Sequence, residues 1–332
     1  MKLATYKDGS RDGQLVVVAR DLSTAHYASQ IAGHMRQLLD DWNFIAPQLQ
    51  DLYDALNAGR ARHAFPFDPR QCMAPLPRTG LLARGQAWHG GWPDEAGDPA
   101  LALAAADGLA GPCDPLPCGA EPWQMDFGAG LAVVTADLPL RASPAQALDG
   151  VRLLLLSNAV RLHAEGLAPV QRLPLAAFGP VAATPDEFGD AWDHGRVHLS
   201  LRTAWNGRRL GLADTAAGMR WHFGELAARL CATRALAAGS IVCGGTVRSP
   251  GERQGGERLR WPHGAHALAD QRAIEALRDG QAATGFLRLG DTVHIEARAH
   301  DGQSVFGAIE QEVVPVADGA AAAPVRNGSP LQ

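Results

Sequence analysis

The chain has 332 residues, 46% hydrophobic and 20% charged, with a formal charge of −5, enough for one large or two modest domains with a full core. The charge is spread along the sequence rather than gathered in a tail, which gives no reason to expect nucleic acid or an anionic membrane as partner and leaves a small molecule as the default. The longest aliphatic run, LLLL at 153–156, is far short of the roughly 20 residues of a membrane helix.

The opening MKLATYKDGSRDG turns polar too early for an export signal. Cys72, Cys113, Cys118, Cys231 and Cys243 form an odd set without close pairs, which in an unexported chain reads as reduced thiols and a cytoplasmic location. Lys2 and Lys7 are the only lysines, so a P-loop lysine and most lysine-based catalysis are excluded.

In chain order, QLVVVA at 14–19 has the β-branched run of a buried strand. Residues 31–57 alternate at helical spacing, and Pro47 is expected to break them into two helices. The second carries Leu49, Leu52, Tyr53 and Leu56 on one face and Gly59 at its C-terminal end. Residues 65–122 are rich in Pro, Gly and Ala and read as loops, where sites tend to lie, so Trp88, His89 and Trp92 are noted. After Trp123 short alternating strands dominate, with hairpin turns at Asn206-Gly207 and Asp301-Gly302. Brief helices are expected at about 144–149, 222–231 and 269–278, and the tail 318–332 as disordered.

Generic motifs carry little chemistry. Gly128-Ala-Gly130 lacks the third glycine and the following helix of a dinucleotide fingerprint. Cys113 and Cys118 lack zinc spacing and a second pair. His294 and Glu296 share a strand face opposite Val293 and Ile295, more in keeping with a solvated sheet than a catalytic pair. His163 and Glu165 follow the most apolar strand, where a satisfied buried histidine is the plainer reading.

Several collinear stretches resemble the fumarylacetoacetate hydrolase family in its bacterial branch: KDGSRDGQLVVVARDL, DLYDALNAG, PLPR at 75–78, MDF at 125–127, the run 178–201, WNGRRLG at 205–211, GGTV at 244–247, FLRLGDTVHIEA at 286–297 and SVFGAIEQEVV at 304–314. The resemblance implies an α+β fold, with a small N-terminal α+β domain at 1–70 and a mixed β-sandwich or β-roll of the fumarylacetoacetase C-terminal type at 71–317. It also implies a homodimer and cleavage of a carbon–carbon bond in diketo acids with bound magnesium, manganese or calcium.

Position by position, however, the family's metal and catalytic groups are replaced. Its D-F-E-x-E strand stands here as Asp126-Phe127-Gly128-Ala129-Gly130, and its N-D-V aspartate is Ala159. Its Q-S-K-P lysine is Leu173, and its Y-x-N-H histidine aligns with Gly91, leaving His89 two residues early. No metal and no other cofactor is therefore expected, and four of these replacements delete volume, which suggests a pocket enlarged and dried for another ligand. The polar groups left to it are Trp88, Asp126, Asn158, Arg161, Gln171, Arg172 and Thr246, with His89 or His163 as proton shuttle and an arginine holding an anion. The expected ligand is a small carboxylate or keto acid, and the expected activity that of a metal-independent isomerase, cyclase or decarboxylase. A non-catalytic binding protein and a hydrolase with a displaced metal site are the alternatives.

Overall fold

The computed structural model describes residues 1–88, 97–106, 108–249, 251–252 and 260–316. His89, Gly91, Trp92 and the tail 318–332 lie outside the described residues.

The strand Val151–Leu162 organises the molecule. Leu153 and Leu155 face one hydrophobic core while Leu154 and Leu156 face another. A strand covered on both sides reads as a continuous apolar run, which is why LLLL shows no alternation. Its neighbours are Ala129–Thr135 and Leu175–Ala183, both antiparallel. Beyond the latter the sheet continues through Lys2–Tyr6, Gln14–Val18 and Thr24–Tyr27, so the N-terminal segment extends the large sheet rather than forming its own. Among the described residues this sheet has 11 strands, and a second has 5. The second is built on the hairpins 200–214 and 292–315. Asn206 and Gly207 turn the first with φ of 50° and 74°, the left-handed pair that a two-residue hairpin requires.

The outer face of the large sheet is covered by the helices Met35–Asp40 and Trp42–Asn57, which bury Met35, Leu38, Leu49 and Tyr53 against Leu3, Leu15 and Val17. The break between them falls at Asp41, whose backbone leaves the helical region at φ −121° and ψ 40°, and Pro47 sits inside the second helix. The expectation of a break at Pro47 is corrected for a local reason. The carbonyl that loses its partner belongs to Asn43, which like Pro47 is exposed, so water replaces the missing N–H. Gly59, at φ 66°, ends the helix, with Arg60 N–H bonded to the Ala55 carbonyl and Gly59 N–H to that of Leu56.

The helices Pro144–Asp149, Phe223–Cys231 and Leu268–Asp279 fall where the sequence places them. The region 65–122 is less loop-like than its composition suggests. Phe65–Pro66, Leu82–Arg84, Ala102–Ala104 and Leu116–Cys118 are strands, two of them paired in parallel with segments far along the chain. All five cysteines are free. Among the described residues no helix is long and apolar enough to cross a membrane.

Candidate active site

On the inner strands, Arg161 pairs with Asp126 and Ser157 with Gly130, while Ala159 N–H bonds to the Gly128 carbonyl. Asp126, Gly128 and Gly130 therefore share one face with Arg161, Ala159 and Ser157, as a period of two dictates. The segment 244–247 crosses this face. Gly244 N–H bonds to the Leu131 carbonyl at 2.9 Å and Val247 N–H to that of Ala129 at 2.9 Å, straddling Gly130. Gly245, at φ 84°, lowers its carbonyl oxygen onto Gly130, where any Cβ would collide with it. A Cβ on Gly128 would lie 2.5 Å from Thr246 Oγ1. The two glycines are thus covered by a turn, and the pocket expected to be enlarged over them is not open there.

The cavity lies beside them. It measures about 190 Å³ and its wall includes Arg84, Asp126, Ala159, Arg161, His163, Leu173, Thr246, Arg248 and Asp270. Asp126, 2% exposed, is placed by the helix Leu268–Asp279, whose own N-cap, Ala267, offers no side-chain acceptor. Asp126 Oδ1 accepts the Leu268 N–H at 2.8 Å and Oδ2 that of Ala269 at 2.9 Å, supplying the cap from 142 residues away. The same Oδ2 lies 3.2 Å from His163 Nε2. The imidazole stacks on Phe286, centroids 5.0 Å apart, which fixes its plane. Because Asp126 is an acceptor on both oxygens, Nε2 carries the proton donated to it and Nδ1 is the basic nitrogen.

Arg248 grips Asp270 with two nitrogens, Nε to Oδ2 at 3.1 Å and Nη2 to Oδ1 at 2.9 Å. Arg84 is 6% exposed; it donates from Nη1 to the Val160 carbonyl at 3.0 Å and from Nη2 to that of Leu175. Burial pulls its pKa down to about 10.

The remaining sequence candidates lie elsewhere. Asn158 is fully buried, accepting the Gly128 N–H and donating to Gln311 Oε1, so it ties the two sheets together. Trp88 is 1% exposed and donates to the Thr215 carbonyl, filling the core beside Gly244. Gln171 and Arg172 belong to the exposed turn Pro169–Arg172 and bond locally to Ala168 N–H and the Leu167 carbonyl. None of these four is among the residues that line the cavity. His294 and Glu296 interact with each other and with Arg298 and Glu310 on the second sheet, away from this cavity. Arg84, Arg248 and Asp270 were not singled out in the sequence. Arg248 lies two residues after Thr246, and Arg84 is the lone charge in LLARG, the only signals that point to them.

Below the strand, His266 is wholly buried, its Nδ1 3.1 Å from Thr203 Oγ1 and its Nε2 without a partner. Burial lowers its pKa from 6.5 to about 4. The unfolded chain therefore binds a proton over a range of pH where the folded one does not, and stability falls as pH drops from 6.5 toward 4. The expected loss between pH 7 and 5 is about 2 kcal/mol by urea unfolding. His266→Gln should flatten that slope, and an unchanged slope would remove His266 as its source.

Residues 1–78 match the fumarylacetoacetase N-terminal domain 2 and residues 86–314 the fumarylacetoacetate (FAA) hydrolase C-terminal domain. The chain belongs to the fumarylacetoacetate hydrolase family. Its fold is similar to that of fumarylacetoacetate hydrolase from psychrophilic Exiguobacterium antarcticum, at 18% identity and a TM-score of 0.67 over 95% of this chain and 100% of that one. It is similar to a probable 2-hydroxyhepta-2,4-diene-1,7-dioate isomerase from Mycobacterium abscessus, at 19% identity and 0.66 over 95% and 99%. A third similar structure is maleylpyruvate hydrolase from Sphingobium sp. SYK-6 in complex with manganese(II) ion and pyruvate, at 16% identity and 0.64 over 95% and 99%. Among curated proteins, none matches the chain.

Proposed function

We propose that this family member is an enzyme that works without the family's divalent cation and moves a proton on a small keto acid, as an isomerase, cyclase or decarboxylase does. The observation that carries this reading is the His163–Asp126 pair at a cavity wall where arginines outnumber carboxylates. His163 Nδ1 would take a proton from the carbon next to a keto group, and Asp126 would hold the ring and stabilise the imidazolium that forms. A neighbouring guanidinium would receive the negative charge that develops on the enolate oxygen.

The donor set does not fit the cation. Gly128, Gly130 and Ala159 carry no side-chain oxygen and Leu173 no amine. Asp126 has both oxygens engaged by backbone N–H groups. Among the described residues no cluster of three or more His, Cys, Asp or Glu is placed to hold a metal. Calcium takes about six to eight oxygen ligands and magnesium about six, and even magnesium, which keeps several waters, is held by one or two free carboxylates. The reading includes a homodimer in the cytoplasm, and light scattering tests the assembly.

The direct test follows conversion of enol to keto absorbance for a panel of 2-keto and 2-hydroxydienoic acids in EDTA. Turnover should be the same with EDTA and with added manganese or magnesium, and the melting temperature should not rise with either ion. Activity that vanishes in EDTA and returns with manganese would overturn the metal-free mechanism.

A further inference from the structure

Residues 268–287 are fastened at both ends to the short strand Met125–Asp126. The helix Leu268–Asp279 starts on the Asp126 carboxylate, and the chain returns so that Leu287 N–H bonds to the Met125 carbonyl at 2.9 Å. Between these ends, Glu275 Oε2 accepts the Ala283 and Thr284 N–H groups at 2.7 and 2.8 Å, which draws the returning segment back onto the helix. Arg272, one turn before Glu275, donates from Nη1 to the Thr284 carbonyl and sets its guanidinium carbon 4.8 Å from the centroid of the Phe286 ring. The same ring carries the His163 imidazole, inclined 20° from parallel. Neither Arg272 nor Phe286 is among the residues that line the cavity.

The hydrogen bond from Nε2 to Asp126 fixes one point of the imidazole but leaves the ring a soft rotation, because the torsion that turns it has broad wells. A ring stacked on its face removes that freedom, provided the stacking ring is itself held. Phe286 follows Gly285 and is only partly buried, so the core holds only part of it. A guanidinium over an aromatic face attracts it electrostatically, and this one is anchored by its own hydrogen bond. We propose that Arg272 is a positioning residue for proton transfer, holding Phe286 against His163 so that Nδ1 keeps the direction from which it takes a proton. The inference rests on reading His163 as the base and adds what aims it. A misplacement of about 1 Å caused by a change away from the chemistry can cost on the order of 10²-fold in rate, so a contact one ring removed from the base is near enough to matter.

Two readouts on the full chain in EDTA test this. One is the imidazole proton resonances of His163, identified by their loss in His163→Ala; the other is exchange of the pyruvate methyl protons in deuterium oxide, the simplest case of proton removal next to a keto group. Stacking on Phe286 should displace the resonances upfield of those of a free histidine. Phe286→Leu and Arg272→Met should both return them toward the free position, and Arg272→Lys, which keeps a cation over the ring, should restore at least about half of the displacement. In Arg272→Met, kcat for exchange should fall about 10- to 100-fold with KM within about twofold of the parent, because Arg272 does not line the cavity. A purely structural role would lower the melting temperature without moving the resonances of the folded chain. Should Arg272→Met fail to fold, Phe286→Leu reads the same stack from its middle member. Resonances unmoved in the folded variants, an unchanged kcat, or a loss expressed only in KM would each overturn the proposal. Displaced resonances in a parent that exchanges no proton from pyruvate would refute the proposed function alone. Exchange that is indifferent to Arg272→Met would refute this inference alone.

Discussion

His163→Ala should lower turnover of the keto acid by about 10²- to 10⁴-fold, the usual contribution of a positioned general base, with little effect on stability because the side chain is 26% exposed. Asp126→Asn is expected to act on both properties. Its amide nitrogen must face a donor, either Leu268 N–H, Ala269 N–H or His163 Nε2–H, where the carboxylate accepts from all three. A loss of about 2–3 kcal/mol in urea unfolding is expected, as for a hydrogen bond to a charged group left unmade in the interior. Full activity in His163→Ala would shift the proton transfer to another group, His89 being the next candidate from the sequence.

Gly130→Ala should destabilise the fold by about 3 kcal/mol or more, at the upper end of overpacking penalties, because the new methyl meets backbone rather than a flexible side chain. Gly80→Ala, where nothing lies within 4 Å of the added carbon, is the control and should be neutral. Installing glutamate at both 128 and 130 should therefore give a poorly folded chain without manganese affinity. A variant Gly130→Ala within 1 kcal/mol of the parent would mean that the turn 244–247 yields easily, and the face beneath it would then count as usable space.

Much of the fold was legible because its signals are local. Asn206-Gly207 needs only its own two left-handed residues to mark a hairpin, and the helix at 144–149 announces itself through Ser143 and Gln146, which cap each other. The strand Leu82–Arg84 was not legible, since its partner Ile241–Cys243 lies over 150 residues away and three residues carry no period. The site divides on the same principle. The replaced family positions could be read one at a time from aligned stretches. That Gly130 lies under the Gly245 carbonyl, that Asp126 caps a helix 142 residues on, and that Arg84 faces carbonyls of two other strands are facts of tertiary pairing. That Asn158 and Trp88 do not line the cavity was hidden for the same reason. The partners that hold these two side chains in the interior, Gln311 and Thr215, lie far along the chain.

The antiparallel pairing of Lys2 with Ala183 bears on how the molecule comes into being. The first strand finds its hydrogen-bonding neighbour only after residues 175–183 have left the ribosome, on the order of ten seconds after residue 70 at ordinary rates of synthesis. Through that interval the strand Lys2–Tyr6, all five residues of which are buried in the finished sheet, has one edge without a partner. Such an edge is a template for pairing with another nascent chain. Yield on expression should therefore depend on translation speed and chaperone supply between those two points more than on the final stability of the fold.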